Sequence, residues 1–182
     1  MDRPPLGFAR WKRAAVVRIM SDEDLGAWYE ATYPRLWSWL RRVVGDGNVA
    51  SDIAQEAFVR LMQARRETLP EAERAPYLFT IARNLTHDHW KRRARGDESL
   101  SQEETAHPSA PSTENVVAAI DLERALAAMT VQERSIVWLA YVEGWDHRTI
   151  GRIVGVGEKS VKVLLFRARK NLVRLLGGHR HG

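Results

Sequence analysis

The stretch HRTIGRIVGVGEKSVKVLLF, residues 147–166, carries the spacing of two short helices packed across a tight turn. Ile150, Val154, Val156, Val161 and Leu164 are the apolar positions that hold the two helices together. Gly151 is small where the helices must approach closely. Gly155 sits at the turn, where a left-handed backbone is least costly for glycine. Gly157 is an acceptable N-cap for the helix that follows. Small, turn and core positions together specify a helix-turn-helix far more narrowly than any one glycine would. In that motif the N-terminal part of the second helix enters the DNA major groove, while flanking cations hold phosphates.

The charges agree with a DNA-facing role. Arg148, Arg152, Lys159, Lys162, Arg167, Arg169, Lys170 and Arg174 lie in or beside the motif, against Glu158 alone. Lys159, Ser160, Lys162, Val163, Phe166 and Arg167 form the candidate groove face, with Arg148 beside it. A solvated basic face on an ordinary helical hairpin is the competing reading, and it leaves the glycine and core spacing unexplained.

Outward from the motif, helical periodicity dominates and strand signals are nearly absent, so the fold class is all-α. Ser21 and Asp24 resemble a capping box opening a helix through Trp28, Tyr29, Leu36, Trp37, Leu40 and Val44, which Pro34 should break or kink. Residues 45–48, Gly-Asp-Gly-Asn, read as a turn. The next helix carries Ile53, Ala54, Ala57, Phe58, Leu61 and Met62, and Pro70 and Pro76 bracket a charged loop. A third helix follows with Tyr77, Leu78, Ile81, Ala82 and Leu85 on its apolar side, ending in Lys91, Arg92, Arg93 and Arg95. Residues 96–115 turn to Ser, Thr, Pro and Glu, a composition that cannot bury enough surface to fold alone, and read as a flexible acidic linker. Beyond it, a helix with Val117, Ile120, Leu122, Leu126 and Met129 leads into a second capping box, Thr130 with Glu133. Ile136, Val137, Leu139 and Ala140 follow, and Gly144 closes that region. The expected organisation is an extension over 1–20, a helical bundle over 21–95, the linker over 96–115 and a second bundle over 116–178.

Composition narrows the function. The 182 residues carry a net charge of +5 and no cysteine, favouring an anionic partner and excluding disulfides and thiolate zinc sites. No apolar run approaches a membrane span, and the apolar stretch at residues 14–17 is too short for a signal peptide, so a cytoplasmic protein is expected. His87 with His89, and His179 with His181, lack metal-ligand spacing and read as exposed or phosphate-contacting histidines. Trp28, Trp37 and Trp138 fall on apolar stripes as core residues, while Trp90 beside the basic run could stack on an unpaired base. No phosphate loop, Ser-His-Asp set or acidic pair offers catalysis, so neither an enzyme nor a cofactor is expected.

Three motifs then fall in order. DIAQEAFVRL, residues 52–61, resembles the core-polymerase-binding helix of the extracytoplasmic-function sigma factors of the sigma-70 family. PYLFTIARNL, residues 76–85, is similar to that family's helix for the promoter −10 element. The second bundle, with Gln132-Glu133-Arg134, Glu143-Gly144 and the run from Val161 to Arg169, resembles its −35-reading domain. The resemblance covers roughly residues 24–177 and implies a transcription-initiation subunit. Its partners would be the RNA polymerase core, at the clamp helices and flap, and promoter DNA. It implies docking through Asp52, Gln55, Glu56 and Arg60. Asn84 would line a pocket for a flipped base, with the loop from Arg65 to Pro76 as its other wall, and Lys91, Arg92, Arg93 and Arg95 would hold phosphates. Arg148, Lys159, Ser160, Lys162, Val163, Phe166 and Arg167 would contact the −35 element. The linker would leave the two bundles mobile in the free protein and follow the polymerase's RNA channel in the complex.

The chain departs from the family pattern at Val49 and Ser51, where relatives commonly carry acids ahead of Asp52. A phosphate on Ser51 would restore that charge near a helix N-terminus, making Ser51 a candidate phosphorylation site. The alternative is that Ser51 caps the helix. Control by a serine/threonine kinase or by an anti-sigma protein are both open. A stand-alone dimeric helix-turn-helix regulator, reading a palindrome without polymerase, is the contrasting function.

Overall fold

The structure, a computed structural model, describes residues 22–64, 69–96 and 113–177. They form seven helices and, among the described residues, no strand: α1 (Asp22–Val44), α2 (Gly47–Gln63), α3 (Glu71–Ala94), α4 (Thr113–Ala128), α5 (Val131–Tyr141), α6 (His147–Val154) and α7 (Glu158–Gly177). The all-α expectation holds. The linker lies mostly outside the described residues, as do Ser21, residues 1–20, His179 and His181, and residues 65–68 of the proposed pocket wall.

The first bundle forms because α1, α2 and α3 bury Leu36, Leu40, Ala54, Ala57, Leu61, Leu78 and Ala82 against one another. Ala54 and Ala57 let α2 approach its neighbours closely, as their spacing suggests. Gly45, in the left-handed region at φ 83°, reverses the chain after α1. Asp46 then caps α2, its carboxylate accepting from the backbone N–H of Asn48 at 2.8 Å and Val49 at 3.1 Å. The turn is therefore shorter than expected, because Gly47 and Asn48 already belong to the helix.

Both prolines depart from expectation. Pro34 lies inside a continuous α1, and Pro76 lies inside α3, which starts at Glu71 and so removes most of the predicted loop. Each proline removes one backbone donor. Burial of the flanking Thr32, Leu36, Ala75 and Tyr77 holds the helix together across the gap. Met62 and Leu122, expected on apolar stripes, are exposed, and His89, expected at the surface, is buried. Trp37 and Trp138 are only half-buried, whereas Trp39 is 1% exposed and is among the largest fully buried side chains.

Ser51 is not a cap. Its hydroxyl donates to the Gly47 carbonyl at 2.9 Å and accepts the Trp37 indole N–H at 3.0 Å, joining α1 to α2.

In the second bundle, Thr130 and Glu133 form the expected capping box of α5. The helix-turn-helix also matches its spacing. Ile150 and Val161 are fully buried, joined by Ile153 and Leu165, which the sequence reading omitted, while Val154, Val156 and Leu164 are half-buried. Gly155 ends α6 at φ 77°. A Cβ on Gly151 would stand 2.7 Å from the Val156 carbonyl oxygen, a backbone atom that cannot swing aside.

The two bundles do not stand apart. α1 packs on α5 and α3 on α6, and one apolar cluster runs from Leu36 and Phe79 through Ile136 to Ile150 and Val161.

Gly151→Ala should destabilise the chain by about 1–3 kcal/mol, the usual range for overpacking against an immobile neighbour. Thermal unfolding measures this, and a melting temperature equal to wild type would show that the helices separate freely at this point.

Candidate nucleic-acid interface

Asp146 sets the geometry of the helix-turn-helix. As N-cap of α6 it accepts the Thr149 N–H at 2.7 Å, which holds its carboxyl below the ordinary carboxylate value. Arg152 and Arg148 add to this, and partial burial opposes it. α6 then crosses to the Gly155 turn, and α7 starts at Glu158, with the Gly157 carbonyl accepting from Val161 at 3.1 Å.

From that start α7 turns Val161, Leu165 and Ala168 inward. Helical periodicity therefore sends Lys159, Ser160, Lys162, Val163, Phe166 and Arg167 outward, and all six are exposed. Phe166 is 67% exposed and Val163 49%, two apolar side chains one turn apart among cations. A large exposed aromatic gains nothing in water, and this placement fits contact with a groove floor, including thymine methyls. Arg148 is exposed at the start of α6, with Glu158 3.9 Å away.

α3 supplies a second basic surface. Lys91, Arg92, Arg93 and Arg95 are exposed at its C-terminal end, where cations suit the helix dipole. Asn84, about two to three turns earlier, is half-buried, and its side-chain oxygen accepts from Arg83 Nη1 at 3.1 Å. Trp90 is half-buried against the core rather than free.

α2 presents a third surface. Asp52, Gln55, Glu56 and Arg60 are all exposed, and Arg60 Nε donates to Glu56 at 2.6 Å across one turn. Beside them an apolar groove of about 330 Å³ is lined by Leu25, Trp28, Tyr29, Phe58, Val59 and Met62. Sequence reading missed this groove. Val59, an apolar residue off the helix's own stripe, was the available signal.

The predicted residues thus gather on three separate faces, on α2, on α3, and on α7 with Arg148 at the start of α6. No group of His, Asp and Glu that could hold a metal occurs among the described residues, and no helix there is long and apolar enough to cross a membrane.

Comparison with known proteins gives these faces a family. Residues 28–96 match the sigma-70 region 2 model, and residues 119–172 match the sigma-70 region 4 model. The chain is 31% identical to the RNA polymerase sigma factor CarQ of Myxococcus xanthus over 79% of its length and 84% of the relative's. It is 30% identical to the ECF RNA polymerase sigma factor SigL of Mycobacterium tuberculosis, over 87% of this chain and 88% of that one. In fold it is similar to the sigma factor RpoE crystallised with the anti-sigma factor NepR, from Bartonella quintana. That likeness has a TM-score of 0.70 at 21% identity, covering 85% of this chain and 98% of the other. The chain belongs to the extracytoplasmic-function sigma factors of the sigma-70 family, which bind RNA polymerase and promoter DNA.

Asp146→Ala should lower stability by about 1 kcal/mol through loss of the α6 cap. The carboxyl is held below its ordinary value in the folded chain, so its contribution is complete above that value and disappears as pH falls through the folded one. Denaturant titrations should therefore show a constant gap between variant and wild type from neutral pH to about pH 5, narrowing in stronger acid. A gap that widens in acid would contradict the assignment.

Proposed function

We propose that this alternative sigma factor docks on core polymerase with the exposed face of α2, reads the −10 element with Asn84 and the basic end of α3, and reads the −35 element with α7. The exposed pair Val163 and Phe166, set among Lys159, Lys162 and Arg167, carries this reading. A groove-facing helix needs apolar atoms for thymine methyls and cations for phosphates within one turn of each other. On α2, Gln55 lines the apolar groove and Asp52 and Glu56 are exposed on the same helix, so acidic and apolar contacts are available together to a polymerase helix. A stand-alone dimeric regulator would use none of the α2 surface, and family membership favours the polymerase-bound reading.

Ser51 enters this reading as a staple between α1 and α2. A kinase would have to take its hydroxyl from both Gly47 and Trp37. Phosphorylation remains the second reading, favoured by Val49 and Ser51 standing where relatives commonly carry acids. An added phosphate in the first turns of α2 would supply the missing charge. Release from an anti-sigma protein is the alternative form of control.

Run-off transcription with purified core polymerase on a promoter library tests the assignment. Wild type should initiate, and Asn84→Ala should reduce initiation while core binding is unchanged. Lys162→Ala should weaken duplex binding evenly across sequences and reduce the slope of log affinity against log salt by about 1. Initiation by Ser51→Ala equal to wild type counts against the kinase. Activity restricted to Ser51→Asp supports the kinase. Absence of transcript from every variant, with tight palindrome binding by the protein alone, would overturn the sigma assignment of the three faces.

A further inference from the structure

Between α1 and α2 the chain exposes apolar surface that its own core does not use. The groove there, of about 330 Å³, is walled by three rings, with Phe58 5.5 Å from Trp28 and 4.6 Å from Tyr29, centre to centre. Tyr29, Val59 and Met62 are 38%, 42% and 45% exposed along it. Large apolar side chains gathered in one concavity mark a binding surface. Carboxylates rim it. Asp52 stands one helical turn from Gln55, and Glu56 one turn from Val59, so both acids are surface neighbours of groove residues. Glu23 and Asp24 are exposed in the first turn of α1, just before Leu25.

The sequence immediately before α1 is complementary to this groove. Residues 1–21 lie outside the described residues and outside the sigma-70 region 2 match, which begins at residue 28. They carry Arg3, Arg10, Lys12, Arg13 and Arg18 against Asp2 alone. Phe8, Trp11, Ala15 and Ile19 recur at intervals of three, four and four, an apolar stripe at helical spacing. At about 100° per residue, Lys12 and Arg18 fall at the two edges of that stripe. A stripe edged by cations matches a groove rimmed by carboxylates. Two large aromatic side chains are also out of keeping with a purely solvated tail.

Length and attachment fit as well. Tyr29 lies about 10 Å along α1 from Asp22 at the rise of a helix. The segment from Trp11 to Asp22 spans about 16 Å as a helix and more when extended, so Trp11 reaches the rings in either form. Attachment to α1 makes the encounter intramolecular, with an effective concentration in the millimolar range for a short link. A second copy of the chain meets the full entropic cost of association instead.

We propose that the chain's own N-terminal segment, residues 8–19, occupies this groove in the free protein, with Trp11 against the rings of Trp28, Tyr29 and Phe58 and its cations towards Asp52 and Glu56. Core polymerase docking on α2 then has to displace it. This rests on the reading of α2 as the docking face given above. Segment and polymerase compete for the same rings and carboxylates, so apparent affinity for polymerase falls by the fraction of chains whose groove is open.

The chain contains no cysteine, so Val59→Cys accepts a single benzophenone maleimide at the rim of the groove. Irradiation of the free full-length chain, followed by peptide mapping, reads what lies there. We expect a link within one chain to residues 8–19, independent of protein concentration, and lost in Phe8→Ser with Trp11→Ser. Without the label, that double variant should bind core polymerase at least about threefold more tightly than wild type. Lys12→Glu with Arg13→Glu should do the same, with the gain shrinking as salt is raised. Thermal unfolding of both variants should match wild type, because neither change touches the described helices.

Absence of a link to residues 8–19 overturns the proposal, whatever the polymerase affinities. Links between chains that grow with concentration also overturn it, assigning the groove to a second copy. A link within the chain with core affinity unchanged in the double variant overturns it too, since the segment would then not compete. Weaker binding of the double variant to phosphatidylglycerol vesicles, with no link in the wild-type background, assigns the segment to a membrane surface and overturns it. Asp52→Ala with Glu56→Ala that binds core polymerase as well as wild type overturns the docking reading of α2 instead, and the link in the free chain is read independently of that result.

Discussion

The indole of Trp39 is the constraint around which both bundles are arranged. It is almost completely buried, its ring 5.2 Å from Phe79, in a part of α1 whose neighbours are Leu36, Leu40 and Val43. A buried indole needs an acceptor for its N–H. None of those aliphatic neighbours can provide one, and the acceptor used is Ser135 on α5. The first bundle therefore completes its polar satisfaction only through the second. Separation of the bundles exposes this N–H to water, which replaces Ser135 at little net cost in hydrogen bonding. The loss on opening is then mainly the apolar contact around Trp39, Phe79 and Trp145.

The same helix shows why the interface was hard to read from the sequence. Trp37 and Trp39 are two residues apart, roughly 200° around a helix, and cannot share a stripe. Stripe reasoning accepts one and leaves the other to solvent. In the structure Trp37 reaches Ser51 on α2, while Trp39 faces Ser135 on α5, so α1 is covered on two sides. A helix packed on two faces loses the simple periodicity that identifies it. The prolines mislead for a related reason. The rule about proline concerns an isolated helix, and in a bundle the packing of neighbouring turns outweighs one missing donor.

The helix-turn-helix was legible because its constraints are local. Gly151 is dictated by an approach to Val156 five residues away, and Gly155 by its own backbone angle, so spacing alone carries the information. The outward face of α7 follows from the same periodicity once Val161 and Leu165 are inside. The faces on α2 and α3 were legible through resemblance rather than through physics. The contact between Arg83 and Val154 spans 71 positions, and nothing in either neighbourhood announces it.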